Sequence, residues 1–450
     1  MAEDIGPPKL QKAGSVVIEE LILRSSNNET VDLKEFLVEL NVYEDIFSNT
    51  MYGDIVLSDS RNIIDSLPII GEETLDVSFY TPTFNETNEI IKNRFRVFRL
   101  TGRKVVRDNN TQLFTLHFGS LQLFTDILNP LYVHFEFKTV SEAVQAIFGN
   151  FLKIPNGYLE KDIEISATSN PIKYNSPGWT PIKNLNWLAS KAMPGADVPA
   201  GNSFLFFESN KSFYFTTLGA IFKAAHEQNK FAGDYTYVAS NLKTGTDDKN
   251  NLLRQFFIIN DLEMTESVDQ IRNYTNGYLA NRLISLDLFN KTYNLVEFDY
   301  VSRFNEYYHT AGQNNVEPLF TKEGSRNSLN NIDFKPVNPR LFQTDKENYF
   351  KDNWDMKMPE IHGNRKSALL GMTLAKLNIT VPGRSDIEVG RMIYLNFPKL
   401  GPVDDTDNAK ENIDQLYSGY YLITAIHHKV TGLEHVMIME IVKDSRNYKK

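Results

Sequence analysis

The chain reads as mainly β with an α+β middle: two related antiparallel β-barrels flanking a mixed α/β domain. Three observations carry that reading. The last quarter, residues 378–442, is a series of short β-branched and aromatic runs broken by Gly and Pro. Such runs mark consecutive antiparallel strands. A similar order of runs occurs near the N-terminus. Between the two, apolar spacing turns helical.

In chain order, residues 1–14 carry Gly6-Pro7-Pro8 and charges and read as an unfixed tail. Segments 16–23 and 36–42 read as strands, 44–51 as a turn or short helix, and 53–57 as strand again. Leu75, Val77 and Phe79 alternate with polar residues. The polar stretch 82–93 reads as a hairpin loop. Segments 95–106 and 112–123 then pair across 107–111, where Asp and Asn suit a turn.

The middle differs. Val140, Val144, Ile147, Phe148 and Phe151 fall at helical spacing, with Thr139 as the cap. Thr180-Pro181 opens a second helix with Ile182, Leu185, Leu188, Ala189 and Ala192 on one face. Pro194-Gly195 stops it, the expected asymmetry of proline first and glycine last. Segments 204–208 and 212–216 read as a hairpin across Ser209-Asn210-Lys211. Segment 223–229 is helix-compatible, 256–264 is strand-like and 266–276 helical. Another hairpin joins 283–289 to 292–301 around Asn290-Lys291. Residues 305–365 show no clear period, only Asn, Lys, Asp and isolated aromatics. A stretch of about 60 such residues is a wrapping arm or a flexible insertion.

The ends repeat one order. Gly71, then Leu75/Val77/Phe79, then 95–106, a polar turn and 113–118 form one set. Gly390, then Ile393/Leu395/Phe397, then 420–430, the turn 431–434 and 436–441 form the other. Two copies of one barrel would give this, as would any β meander. The division is then 1–127 for the first barrel, 128–235 with 290–365 for the middle, and 236–289 with 366–450 for the second barrel.

Composition narrows the function. Among 450 residues, 57 are acidic and 47 basic, for a net charge of −10. A phosphate-gripping surface wants the opposite balance, so specific nucleic-acid binding is not expected. There is no Cys, which excludes disulfides and thiolate metal sites. No apolar run approaches the ~20 residues that span a bilayer. Met1-Ala2-Glu3-Asp4 lacks the features of a signal peptide. The 30 Phe and 21 Tyr suit broad protein interfaces.

Catalytic motifs are missing: no phosphate-binding loop, no His-Glu-x-x-His, no nucleophile elbow and no dinucleotide fingerprint. His427 and His428 are neighbours on a strand and point to opposite faces. One is expected packed and one at the surface, not both on one ion. The run Asp404-Asp405-Thr406-Asp407-Asn408 lacks the Gly and terminal Glu of a calcium loop. Trp179, Trp187 and Trp354 are expected in cores or seams. No catalytic, metal or cofactor residue is assigned.

A resemblance adds to this. The order Val381-Pro382-Gly383, Ile387-Glu388-Val389-Gly390, Ile393-Tyr394-Leu395-Asn396-Phe397-Pro398, Tyr417-Ser418-Gly419 and His435-Val436-Met437 resembles the closing barrel of contractile-tail hub proteins. These are the central baseplate hub of T-even-type phages, the late-control tail proteins and the hub half of type VI secretion spike proteins. Met51-Tyr52-Gly53-Asp54-Ile55 resembles the first barrel of the same proteins, and 179–193 and 283–300 resemble its other elements.

The resemblance implies a structural virion protein of the tail baseplate, assembled in the bacterial host cytoplasm, with no enzyme activity. It implies a homotrimer whose six barrels form a pseudo-sixfold ring. That ring would adapt a trimeric tail spike to the sixfold tail tube and let DNA pass. Expected partners are the spike, tail tube or tube-initiator proteins and baseplate wedge proteins, with no membrane insertion. Tyr52, Gly53, Asp54, Arg391, Met392 and Tyr394 lie in the barrel signatures and are candidate ring contacts. Their competing role is barrel folding. The stop at Lys450 leads us to expect a separate spike chain. Two other readings stay open: a tail-tip cell-wall hydrolase in the middle domain, and a receptor- or glycan-binding tail module using 305–365.

Overall fold

The structure is a computed structural model describing residues 12–67, 69–83, 89–106, 111–154, 161–228, 231–237, 253–266, 269–287, 291–313, 316–319, 341–343, 358–398, 413–414, 416–432 and 434–447. The fold is mainly β with some helices.

The first lobe contains β1 (Val17–Arg24), β2 (Thr30–Asp32), β3 (Leu37–Asp45), β4 (Tyr52–Asp59), β5 (Thr74–Tyr80), β6 (Ile91–Val106) and β7 (Thr111–Ser120). Their sheet order is β3-β4-β7-β6-β5-β1-β2. Alternation sends Leu21, Leu75, Val77, Phe95, Ile55 and Phe118 into one core, each nearly solvent-free. Each such side chain contributes roughly 1.5–3 kcal/mol on burial. Gly53 has a packing reason, since a Cβ there would stand 2.2 Å from the Asn41 carbonyl oxygen and 2.5 Å from the Phe118 ring.

Two local expectations change here. The strand expected to reach residue 123 ends at Ser120, and a helix follows. Leu121, Phe124, Ile127 and Leu128 have helical spacing, which overrides the strand reading. The tail is tied down from Gly14, whose carbonyl accepts the His435 N–H at 2.7 Å. Residues 1–11, 84–88 and 107–110 lie outside the described part, so the tail proper and the two loop tips do too.

The middle unit holds β8 (His134–Phe137) paired with β10 (Ile172–Asn175), and a sheet of β11 (Phe204–Glu208), β12 (Phe213–Thr217) and β9 (Ile163–Ile165). Its helices behave as their caps foretell. The Thr139 side chain accepts the Glu142 N–H, and Thr180 accepts the Lys183 N–H ahead of Pro181. The helix at 223–229 is in fact Leu218–Glu227, capped by Thr217.

The second lobe contains β13 (Phe231–Tyr237), β14 (Ile258–Ile259), β15 (Asp261–Glu266), β20 (Ala375–Pro382), β21 (Met392–Asn396), β22 (Gly419–Thr431) and β23 (Glu434–Lys443). Beside it, β16 (Ala280–Asp287) and β17 (Thr292–Asp299) form the expected hairpin, with β19 (Leu341–Gln343) on its edge. β18 (Val316–Pro318) pairs β24 (Ser445–Asn447). The sequence boundaries at 235/236 and 289/290 fall inside β13 and inside that hairpin. The hairpin packs on its own small core of Tyr278, Phe298, Tyr300 and Leu374.

The aperiodic region ends in a helix, Met358–Gly371, that sequence pattern does not announce. Its inward residues include Asn364 and Ser367, so no apolar stripe advertises it. Residues 320–340 and 344–357 lie outside the described part, and the wrapping-arm reading and Trp354 lie there with them. So does the acidic run 404–408, within 399–412.

One connection decides the architecture. β22 pairs β21 and β3 along one side and β23 along the other. The two lobes are thereby one fourteen-stranded sheet. Within it runs an antiparallel series β15-β20-β23-β22-β3-β4-β7-β6. Among the described strands, no pairing closes either lobe on itself.

Candidate assembly interface

The seam between β22 and β3 carries a connected polar network on both of its faces. On its solvent face, register sets Tyr52 beside Tyr43 and Tyr43 beside His427. Their rings stack: Tyr52 on Tyr43 at 5.0 Å between centroids, Tyr43 on His427 at 4.4 Å. Tyr52, 48% exposed, ends the column. His427 Nε2 donates to Asn41 Oδ1 at 2.7 Å. Asn41 in turn donates to Asp54 at 3.0 Å and to Glu39 at 2.9 Å. Burial, then the neighbouring His428, holds the His427 pKa below its ordinary value. The neutral ring suits that stack.

On the inner face, His428 is fully buried and its Nε2 lies 3.2 Å from Glu44 Oε1. Its Nδ1 lies 3.1 Å from His435 Nε2. The two adjacent histidines thus take opposite faces, one stacked near solvent and one packed, as strand geometry requires. Gly383 makes room for His435, since a Cβ there would stand 2.1 Å from the ring. Among the described residues, no group of three His, Asp or Glu could hold a metal ion.

The middle unit locks the seam through one hairpin tip. Asn210 donates its backbone N–H to Glu44 Oε2 at 3.0 Å and accepts from Asn93 at 2.7 Å. Ser209 donates to Glu388 at 2.8 Å. Glu208, also buried, bridges Lys161 at 2.8 Å and the Met51 N–H at 2.8 Å. So the turn Ser209-Asn210-Lys211 touches both lobes. Its residue types mark a turn and nothing more. The only further signal is a carboxylate directly after an apolar run, Phe206-Phe207-Glu208.

The six candidate residues divide. Tyr52 and Asp54 sit on the open face of the seam. Gly53 is spent on close packing inside the chain. Arg391 clamps Glu388 within the second lobe with two donors, at 2.8 and 3.1 Å, and it is that carboxylate which meets Ser209 of the middle unit. It also borders an open cavity of about 210 Å³ with Tyr214 and Ile221. Met392 is fully buried in the second core and offers nothing to a neighbour. Tyr394 is half-buried, edge-on to Tyr420 at 4.9 Å.

No family model matches the sequence. Over 416 residues it is 20% identical to the "Probable baseplate hub protein gp334" of Vibrio phage KVP40, covering 91% of this chain and 90% of that one. Two solved structures share the fold. A tail protein from Neisseria meningitidis MC58 superposes with a TM-score of 0.52 at 8% identity, covering 94% of this chain and 96% of that one. A tail protein of prophage MuSo2 from Shewanella oneidensis gives a TM-score of 0.52 at 9% identity, covering 94% and 98%. The chain is thus similar along nearly its whole length to a phage baseplate hub protein, and its fold is that of phage tail proteins.

Proposed function

We propose that this chain is the central hub of a phage tail baseplate: a structural virion protein, without turnover, that assembles as a homotrimer. The observation that supports this best is the β22–β3 seam. It sets two similar strand sets side by side in one rigid sheet. Three chains then supply six sets, and a trimer presents a pseudo-sixfold ring. Such a ring adapts a trimeric spike on one side to a sixfold tail tube on the other, through large interfaces. Tube-initiator and wedge proteins are the further partners. Tyr52, Asp54, Arg391 and Tyr394 are the candidates here that keep side-chain surface for contacts between chains.

The ring would leave a passage for DNA. The net charge of −10 favours a wall that repels the phosphate backbone. Tight DNA binding by the purified protein at low salt would overturn that part.

The direct test is solution mass by light scattering, followed by imaging. A mass about three times 51.6 kDa and rings with six lobes support the hub. A chain that stays monomeric, even with its spike added, overturns it.

A further inference from the structure

The sheet β11-β12-β9 is covered on both faces. Phe206, Phe213 and Phe215 point into the core of the middle unit, and alternation turns Phe207, Tyr214 and Glu164 the other way. Phe207 joins the core of the second lobe, and Tyr214 stacks on it at 5.3 Å between centroids. Between that face and the second lobe lies an open cleft of about 210 Å³. It stays unfilled because its floor is small. Ala220 and Ala224 lie one turn apart on the helix Leu218–Glu227, and Gly390 faces them.

Charge in the cleft is uneven. Glu388 is nearly solvent-free and fully engaged. One of its oxygens takes both Arg391 donors, and the other takes the Ser209 hydroxyl at 2.8 Å and the Tyr214 hydroxyl at 3.4 Å. The Glu388–Arg391 pair is therefore closed and neutral. Glu164 also lines the cleft but is exposed, and it makes no hydrogen bond or ion pair among the described residues. Its charge is felt inside. Burial first, and then the Glu388 and Glu164 carboxylates, push the Tyr214 hydroxyl above its ordinary pKa. One uncompensated carboxylate thus stands over an apolar floor.

We infer that this cleft binds an organic cation with an aliphatic stem, its ammonium or guanidinium head against Glu164 and its methylenes on Ala220, Ile221 and Val389. Lysine and arginine side chains have that form, and so do free diamines. Such groups lay their stems along apolar surface and keep the charged head near water, which matches an open mouth beside an exposed carboxylate. Size narrows the ligand further. Sites for drug-sized molecules span about 300–1,000 Å³, so this cleft takes one side chain or its small equivalent. An anion is disfavoured, because Arg391 already gives two donors to Glu388 and Glu164 would repel it. All the walls belong to one chain, so the inference goes beyond the trimeric-hub reading and does not depend on it.

The chain has no native Cys, so Ala220→Cys places a single reporter thiol on the floor of the cleft. Its alkylation by the neutral reagent iodoacetamide should slow several-fold in saturating 1,5-diaminopentane, and not in glutarate at the same ionic strength. Adding Glu164→Gln should weaken diamine binding by about three- to fivefold, the worth of a part-exposed ion pair. Adding Ala224→Leu instead fills the floor, leaves the charge and should abolish the protection. Both double variants should keep the melting temperature of the reporter chain. A capped lysine, acetylated at its amine and amidated at its carboxyl, separates the two sources of the cation. Protection matching that of the diamine assigns the cleft to a basic side chain of a neighbouring protein, and protection by the diamine alone assigns it to a free polyamine. Equal protection by glutarate, protection that survives both added changes, or no protection at all overturns the inference and leaves the hub reading standing.

Discussion

Glu44 and His428 meet 3.2 Å apart, both without solvent exposure, although 384 residues separate them in the chain. The contact joins strands from opposite ends of the sequence. It makes the two lobes one body rather than two beads on a linker. A second acceptor oxygen of Glu44 takes the Asn210 N–H, so three units converge on one carboxylate.

Glu44→Ala should therefore cost about 3–5 kcal/mol, because it strands both His428 and a backbone donor in the interior. Replacing Glu44 and His428 together by apolar residues should cost less than the sum of the single changes. Denaturant unfolding of the four-member cycle checks this. Additive losses would show that the pair does not interact.

Acid should loosen the same seam. His435 is buried beside His428, and its pKa is held well below 6.5, by burial first and then by that neighbour. Unfolded, the ring takes a proton near 6.5; folded, it does not. The unfolded state thus binds more protons as pH falls below about 6.5, and stability drops there by up to ~1.4 kcal/mol per pH unit. Thermal melts from neutral to mildly acidic pH should show that slope. His435→Phe, which keeps an aromatic ring against Phe79, should flatten it.

Gly53→Ala and Gly383→Ala should fail for steric reasons. The added methyl would overlap the Asn41 carbonyl in one case and the His435 ring in the other. Overpacking of this kind typically costs 1–3 kcal/mol and here meets groups with no room to move, so losses of about 3 kcal/mol or insolubility are expected. Soluble protein with unchanged melting temperature would contradict the packing described.

Asn210→Ala should leave the buried Asn93 amide without its acceptor, at about 1–3 kcal/mol. The loss should be local. Hydrogen exchange should speed up around 204–217 and at the start of β6, where Asn93 lies, while the far strands of each lobe stay protected. A uniform rise across the chain would mean the tip does not act as a lock.

Much of the local structure is legible in the residues themselves. The alternation along β5, β20 and β23 and the caps Thr139 and Thr180 are local signals, and local signals suffice for local elements. The helix Met358–Gly371 is not legible, because it buries Asn364 and Ser367 instead of an apolar stripe. Met392 looks like a ring contact from sequence and is core, because a family-like stretch does not say which side of a strand faces inward.

The succession of strands along the chain and the acidic balance were determined by sequence alone, since each depends only on neighbours along the chain or on composition. The partnership of β22 with β3, the burial of Glu44 with His428, and the hairpin tip between the lobes were decided by tertiary structure. A strand's two edges carry the same backbone donors and acceptors whatever its side chains. Which edge meets which is chosen by the packing of the whole sheet.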